Sequence, residues 1–135
     1  MILVETSAWV EYDRATDSPI DKRLTDLITA EADIAATDVV LMEVLAGAKD
    51  DHCWTQLRRL LTSFMWIPGE PATDFEGAAR LYRSCRDQGV APRELIDCMI
   101  ASIALRTNAS VLTADQDFAR IAEVVPLRID PVSIL

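Results

Sequence analysis

Five carboxylates stand where their surroundings do not call for a charge. Asp97 lies in Leu95-Ile96-Asp97-Cys98-Met99-Ile100-Ala101-Ser102-Ile103-Ala104-Leu105, a run apolar almost all round. A helix of that kind is buried, and an ionised side chain in it is costly unless it is paired or bound to a cation. Ala101 and Ala104 share its face, while Arg93 is a possible ion-pair partner one turn earlier. Glu43 is set in Val39-Val40-Leu41-Met42-Glu43-Val44-Leu45, either inside or on the wet side of an amphipathic helix. Glu5 ends the apolar run Ile2-Leu3-Val4, and Asp115 and Asp117 follow Val111-Leu112-Thr113. The last three sit just beyond strand ends, where open parallel sheets place their ligands. The plainer roles are a solvated Glu5 beside a helix cap at Thr6 or Ser7, and caps at Asp115 or Asp117. Brought together, these groups would repel and hold their protons unless a cation neutralised them. An oxygen-only donor set suits Mg²⁺ or Mn²⁺. Such ions acidify water and hold phosphates for in-line attack. The residues taken alone point to a Mg²⁺/Mn²⁺-dependent hydrolase of phosphoesters.

The elements that must position them alternate between strand and helix. The first strand, Ile2–Val4, is apolar throughout, which places it mid-sheet with both faces covered. Ser7 to Tyr12 reads as a short helix with Trp9 and Tyr12 on one face. Asp17 or Ser18 caps the next, Pro19 opens it, and Leu24, Leu27 and Ile28 form its apolar face. Strands follow at residues 34–37, 64–67, 110–113 and 127–129. Helices follow at 38–48, from 50 onward, and at 72–88, 92–106 and 115–124. The 72–88 helix is expected to turn Phe75, Ala78, Ala79, Leu81 and Tyr82 inward and to stop at Gly89. The pattern calls for a three-layer α/β/α domain over residues 1–135, its central, mainly parallel sheet having four to five strands. If the first and fourth strands are neighbours, the five carboxylates can converge at one edge.

Composition narrows the classes. The 135 residues carry a net charge of −9, with 12 acids against 4 bases in residues 1–51 and 6 acids against 7 arginines in residues 52–110. That excess argues against nucleic-acid binding driven by net charge, but not against a local arginine strip beside an acidic site, and it suits a basic partner. His52 is the single histidine, so a histidine metal site or a Ser-His-Asp triad is not expected. Cys53, Cys85 and Cys98 have no metal-site spacing and read as reduced thiols of a cytoplasmic protein. No apolar run approaches the ~20 residues that span a membrane.

Four stretches, in order, resemble those of the PIN-domain ribonucleases, and specifically the VapC-type toxins of toxin–antitoxin modules. They are the opening Ile2-Leu3-Val4-Glu5-Thr6-Ser7-Ala8-Trp9, Val40 to Gly47, Ile96 to Ala101, and Leu112 to Ala122. The resemblance implies a PIN-like fold and a Mg²⁺- or Mn²⁺-dependent endoribonuclease. It also implies a homodimer, inhibition by a cognate VapB-like antitoxin in a hetero-oligomer, and contact with DNA only through that antitoxin. Carried over by position, Glu5, Asp97 and Asp115 would be metal ligands, with Asp117 beside them. Glu43 would position or deprotonate the attacking water. Ser7 and Thr113 would bond the carboxylates or a phosphate oxygen. One position departs: the family has Asp where this chain has Glu5. The longer side chain is expected to attenuate activity, leaving as the alternative a PIN fold that binds its antitoxin without cutting RNA.

Arg58, Arg59, Arg80, Arg83, Arg86, Arg93 and Arg106 are candidate phosphate contacts, Arg93 first because it lies nearest Asp97. Trp9, Tyr12 and Trp54 are candidates for a groove that receives an antitoxin helix, against an ordinary core role. A phosphoacceptor receiver domain, also small and acidic, would need a lysine after a late strand. Lys22 and Lys49, both in the first half, are the only lysines.

Overall fold

The structure is a computed structural model that describes residues 1–134. Five strands form one sheet: β1 Ile2–Val4, β2 Ile34–Thr37, β3 Met65–Ile67, β4 Ser110–Leu112 and β5 Arg128–Ile129. The order is β3-β2-β1-β4-β5, and every pairing is parallel. The Ile-Leu-Val run is therefore central, as its apolar character requires, with Leu3 and Val4 fully buried. Its register sets Val4 opposite Leu112, so Glu5 and Thr113 leave the sheet side by side.

Seven α-helices cover the sheet: α1 Thr6–Asp13, α2 Pro19–Thr29, α3 Asp38–Ala46, α4 Asp51–Thr62, α5 Pro71–Asp87, α6 Leu95–Thr107 and α7 Gln116–Ala122. A 3₁₀ helix, Pro131–Ile134, follows β5. Right-handed crossovers put α1 to α4 on one face, while the reversal of direction after β3 sends α5, α6 and α7 to the other. The packing of α1 on α2 and α3, and of α6 on α5 and α7, fits that division. Strands β1 and β4 flank the reversal, and the crevice beyond their carboxyl ends is where such sheets bind ligands. On α6, Ala101 and Ala104 are fully buried, which lets the helix lie close to its neighbours. Asp97 sits in its first turn, where free amides favour an anion.

Most element bounds shift by one or two residues, and two helices depart further from the pattern in the sequence. Helix α6 begins at Leu95, not Pro92. Helix α5 is rotated, so Phe75 is 60% exposed and Ala79 is exposed, whereas Asp74 is buried. An ion pair explains the rotation. Arg106 donates from Nε and Nη2 to the two oxygens of Asp74, both at 2.9 Å, and from Nη2 to the Pro68 carbonyl at 3.2 Å. The gain outweighs the exposed ring of Phe75 because an arginine fork satisfies both carboxylate oxygens at once. Arg106 is thus a clamp between α6 and α5 and has no reach left for phosphate. Its replacement by Ala should strand Asp74 and lower unfolding free energy by about 2–3 kcal/mol, measured in urea, with Mn²⁺ affinity unchanged.

Candidate metal centre

Glu5 stands at the junction of β1 and α1 and caps the helix itself, in place of Thr6 or Ser7. Its Oε2 accepts from Ser7 N at 3.0 Å, from Thr113 Oγ1 at 2.7 Å and from Ser7 Oγ. The side chain is buried, and burial raises its pKa against the lowering pull of those donors. Ser7 and Thr113 therefore spend their single hydroxyl protons on Glu5. Glu43, from α3, accepts from Thr6 Oγ1 at 2.6 Å. Asp115 caps α7 through Asp117 N at 2.9 Å. Its own amide is held at 2.9 Å by Thr113 Oγ1.

Oxygens of Asp97, Asp115 and Asp117 all lie within 4.8 Å of one another. Two ligands across an octahedral Mg²⁺ stand ~4.2 Å apart, twice the ~2.1 Å bond, so a small closure would complete the set. The donors are all oxygen, hard and anionic, and fit a divalent cation. Glu5 and Glu43 line the same cleft, of about 260 Å³, together with Thr6, Ser7, Arg93 and Glu94. Glu5 is outside the tight triad, and its Oε2 is taken by hydroxyls.

Buried aspartates elsewhere have arginines: Asp74 has Arg106, Asp130 has Arg23 at 3.0 Å, and Asp117 has Arg93 at 3.0 Å and Arg120 at 3.2 Å. Asp97 has no ion pair and no side-chain hydrogen bond among the described residues. Arg93 reaches past it to Asp117 and, at 3.5 Å, to Asp115. Burial first, then the charges of Asp115, Glu5, Glu43 and Glu94, push the Asp97 carboxyl up to about 7. A cation bound among these acids would favour the charged form.

The PIN-domain family model matches residues 2–124. This chain belongs to the PIN-domain family. Within it, the chain is 41% identical over 129 residues to Ribonuclease VapC11 of Mycobacterium tuberculosis and to VapC ribonuclease Mb1587 of Mycobacterium bovis, covering 95% of this chain and 96% of each relative. Among solved structures, it resembles VapBC2 from Rickettsia felis bound to a DNA fragment from their promoter, with TM-score 0.76, 22% identity and 96% and 98% of the two chains covered. FitAcB from Neisseria gonorrhoeae gives TM-score 0.72 at 18% identity over 100% of both chains. The five-stranded α/β/α architecture is thus the PIN fold.

In this PIN domain the groove residues separate. Trp9 is 1% exposed, packed on Phe64 at 5.5 Å and Tyr12 at 6.2 Å, so it is core and not surface. Tyr12 is half-buried, and Trp54 is exposed. Of the arginines, Arg80 pairs with Glu76 and Arg86 with Asp87. Sequence reasoning missed Thr6, Glu94 and Arg120. Thr6 had a visible signal, a hydroxyl directly after a strand-end carboxylate. Glu94 and Arg120 look like ordinary surface charges until the fold brings them in. Among the described residues no helix is long and apolar enough to cross a membrane.

Proposed function

We propose that this chain is a Mg²⁺/Mn²⁺-dependent endoribonuclease toxin, active in the cytoplasm and neutralised by a cognate VapB-like antitoxin. The observation that carries the reading is Asp97: buried, without an ion-pair or side-chain hydrogen-bond partner among the described residues, in an oxygen-only triad. Asp97 and Asp115 would hold the ion, with Asp117 and Glu5 beside them. A divalent ion bound there supplies acidification of the attacking water and positive charge opposite the phosphodiester oxygens. Thr6 fixes one oxygen of Glu43, leaving the other to accept the water's proton. Arg93 and Arg120 hold Asp117, and the exposed Arg93 guanidinium also borders the cleft, where it can meet a phosphate. Ser7 and Thr113 fix Glu5 in place of touching substrate. Arg58, Arg59 and Arg83 stay further candidate phosphate contacts for a single-stranded RNA on an otherwise acidic protein.

Antitoxin binding fits this reading because the solved structures of like fold include a toxin–antitoxin complex from Klebsiella pneumoniae and DNA-bound VapBC from Salmonella typhimurium. We place this chain in a homodimer that joins the antitoxin in a hetero-oligomer, with DNA reached through the antitoxin. The purified protein should cleave single-stranded RNA with Mn²⁺ and stop on adding EDTA. Thr6→Val should lower kcat about fivefold, the worth of one ordinary hydrogen bond, with KM unchanged. Cleavage that persists in EDTA would remove the metal from the mechanism.

A further inference from the structure

Strand β5 pairs with β4 for only two residues, and the last ladder bond runs from Asp130 N to the Val111 carbonyl at 2.8 Å. In a continued parallel ladder, Thr113 N–H would donate to the Asp130 carbonyl. Pro131 instead opens the 3₁₀ helix, and Ser133 N takes that carbonyl at 2.8 Å. The hydroxyl oxygen of Ser133 then accepts from Thr113 N at 2.9 Å. Ser133 thereby replaces one rung of the sheet on both sides.

The residue it holds is the hub of the acidic cleft. Thr113 is 1% exposed, and its Oγ1 gives its proton to Glu5 Oε2 and accepts from Asp115 N. The next amide, Ala114 N, is held by Ser7 Oγ at 2.8 Å. Fixing the Thr113 peptide therefore fixes the direction of one hydroxyl on which Glu5 and the Asp115 backbone both depend. The turn that carries Ser133 is anchored separately. Arg23 Nη2 meets Asp130 Oδ2 at 3.0 Å, and Val132 N donates to Asp130 Oδ1 at 3.1 Å. Ser133 lies outside residues 2–124 that match the family model.

We propose that Ser133 is a positioning residue for the metal centre, acting through Thr113 on Glu5 and Asp115. This rests on the nuclease reading above. Three measurements on the full chain decide it: amide hydrogen exchange without metal, Mn²⁺ affinity by calorimetry, and RNA cleavage. Ser133→Ala should speed exchange at Thr113 and Asp115 about tenfold or more. It should weaken Mn²⁺ binding and lower kcat by about tenfold each, leaving KM for RNA and the melting temperature near wild type. Ser133→Thr keeps the acceptor oxygen and should restore all three.

Unchanged exchange in Ser133→Ala, or faster exchange with wild-type Mn²⁺ affinity, would overturn the proposal. So would equal losses in the Ala and Thr variants that track melting temperature, the sign of a merely structural role. A wild-type chain that neither binds Mn²⁺ nor cuts RNA would overturn the nuclease reading itself, a result separable from any defect of the variant.

Discussion

Asp97→Asn should lose RNA cleavage on the order of 10³-fold and at the same time make the metal-free protein more stable. The two effects have one origin. Asp97 is a carboxylate that the fold desolvates and surrounds with other acids without supplying a base, so its carboxyl sits at about 7 against an ordinary 3.8. An acid whose folded pKa is raised contributes stability only while it stays protonated. That contribution is complete below about 3.8 and is lost as pH rises through about 7. The asparagine variant carries no such charge. In EDTA, its stability relative to wild type should therefore rise between those pH values and level off above the higher one. With Mn²⁺ the order reverses: the ion binds the folded wild type and raises its melting temperature by mass action, and the variant gains little. Urea denaturation across pH, with and without Mn²⁺, separates the components. A variant no more stable than wild type at pH 8 in EDTA would mean that Asp97 is already neutralised by the protein.

That position was legible in the sequence because an aspartate inside an apolar helical run has no other reason to be there. The same logic found Glu5 and the central strand, since Ile-Leu-Val reads as a doubly covered strand and the charge that stops it must fall at the sheet's carboxyl edge. Periodicity failed at α5. Phe75 and Ala79 share the apolar spacing of Ala78 and Leu81, yet the helix turns Asp74 inward, because Arg106 awaits it thirty-two residues on. A long-range ion pair leaves no local trace. The sequence left Trp9 open between two roles. A tryptophan beside a tyrosine fits a docking groove and a core equally well, and only the neighbouring Phe64 decides for the core. Arg93 shows the limit of spacing along one helix. A pair with Asp97 one turn away was possible, but α6 starts after Arg93, and the loop carries the guanidinium to Asp115 and Asp117.

Glu5→Asp should raise the rate of RNA cleavage on the order of 10²-fold. The resemblance of the opening strand implies the shorter acid at this position. In this fold the longer side chain is occupied, with three donors converging on Oε2. Glu5 is 4% exposed, so it cannot relieve a misplacement by swinging into solvent. Removing one methylene withdraws the carboxylate by about 1.3 Å on ordinary bond lengths. Aspartate is also the better helix cap, able to keep the bond to Ser7 N with a shorter reach. Ser7 and Thr113 would then turn to follow it, and the position of the charge relative to Asp97 and Asp115 would change by about the distance that octahedral Mg²⁺ does not tolerate. Glu5→Gln supplies the contrast. It keeps the length and removes the charge, and it should bind Mn²⁺ more weakly than either acid. Single-turnover cleavage at saturating Mn²⁺ compares the three. If Glu5→Asp is no faster than wild type, the glutamate is already in its working position. The centre would then be the three aspartates with Glu5 as their hydroxyl-bound support, and no attenuation would follow from the longer side chain.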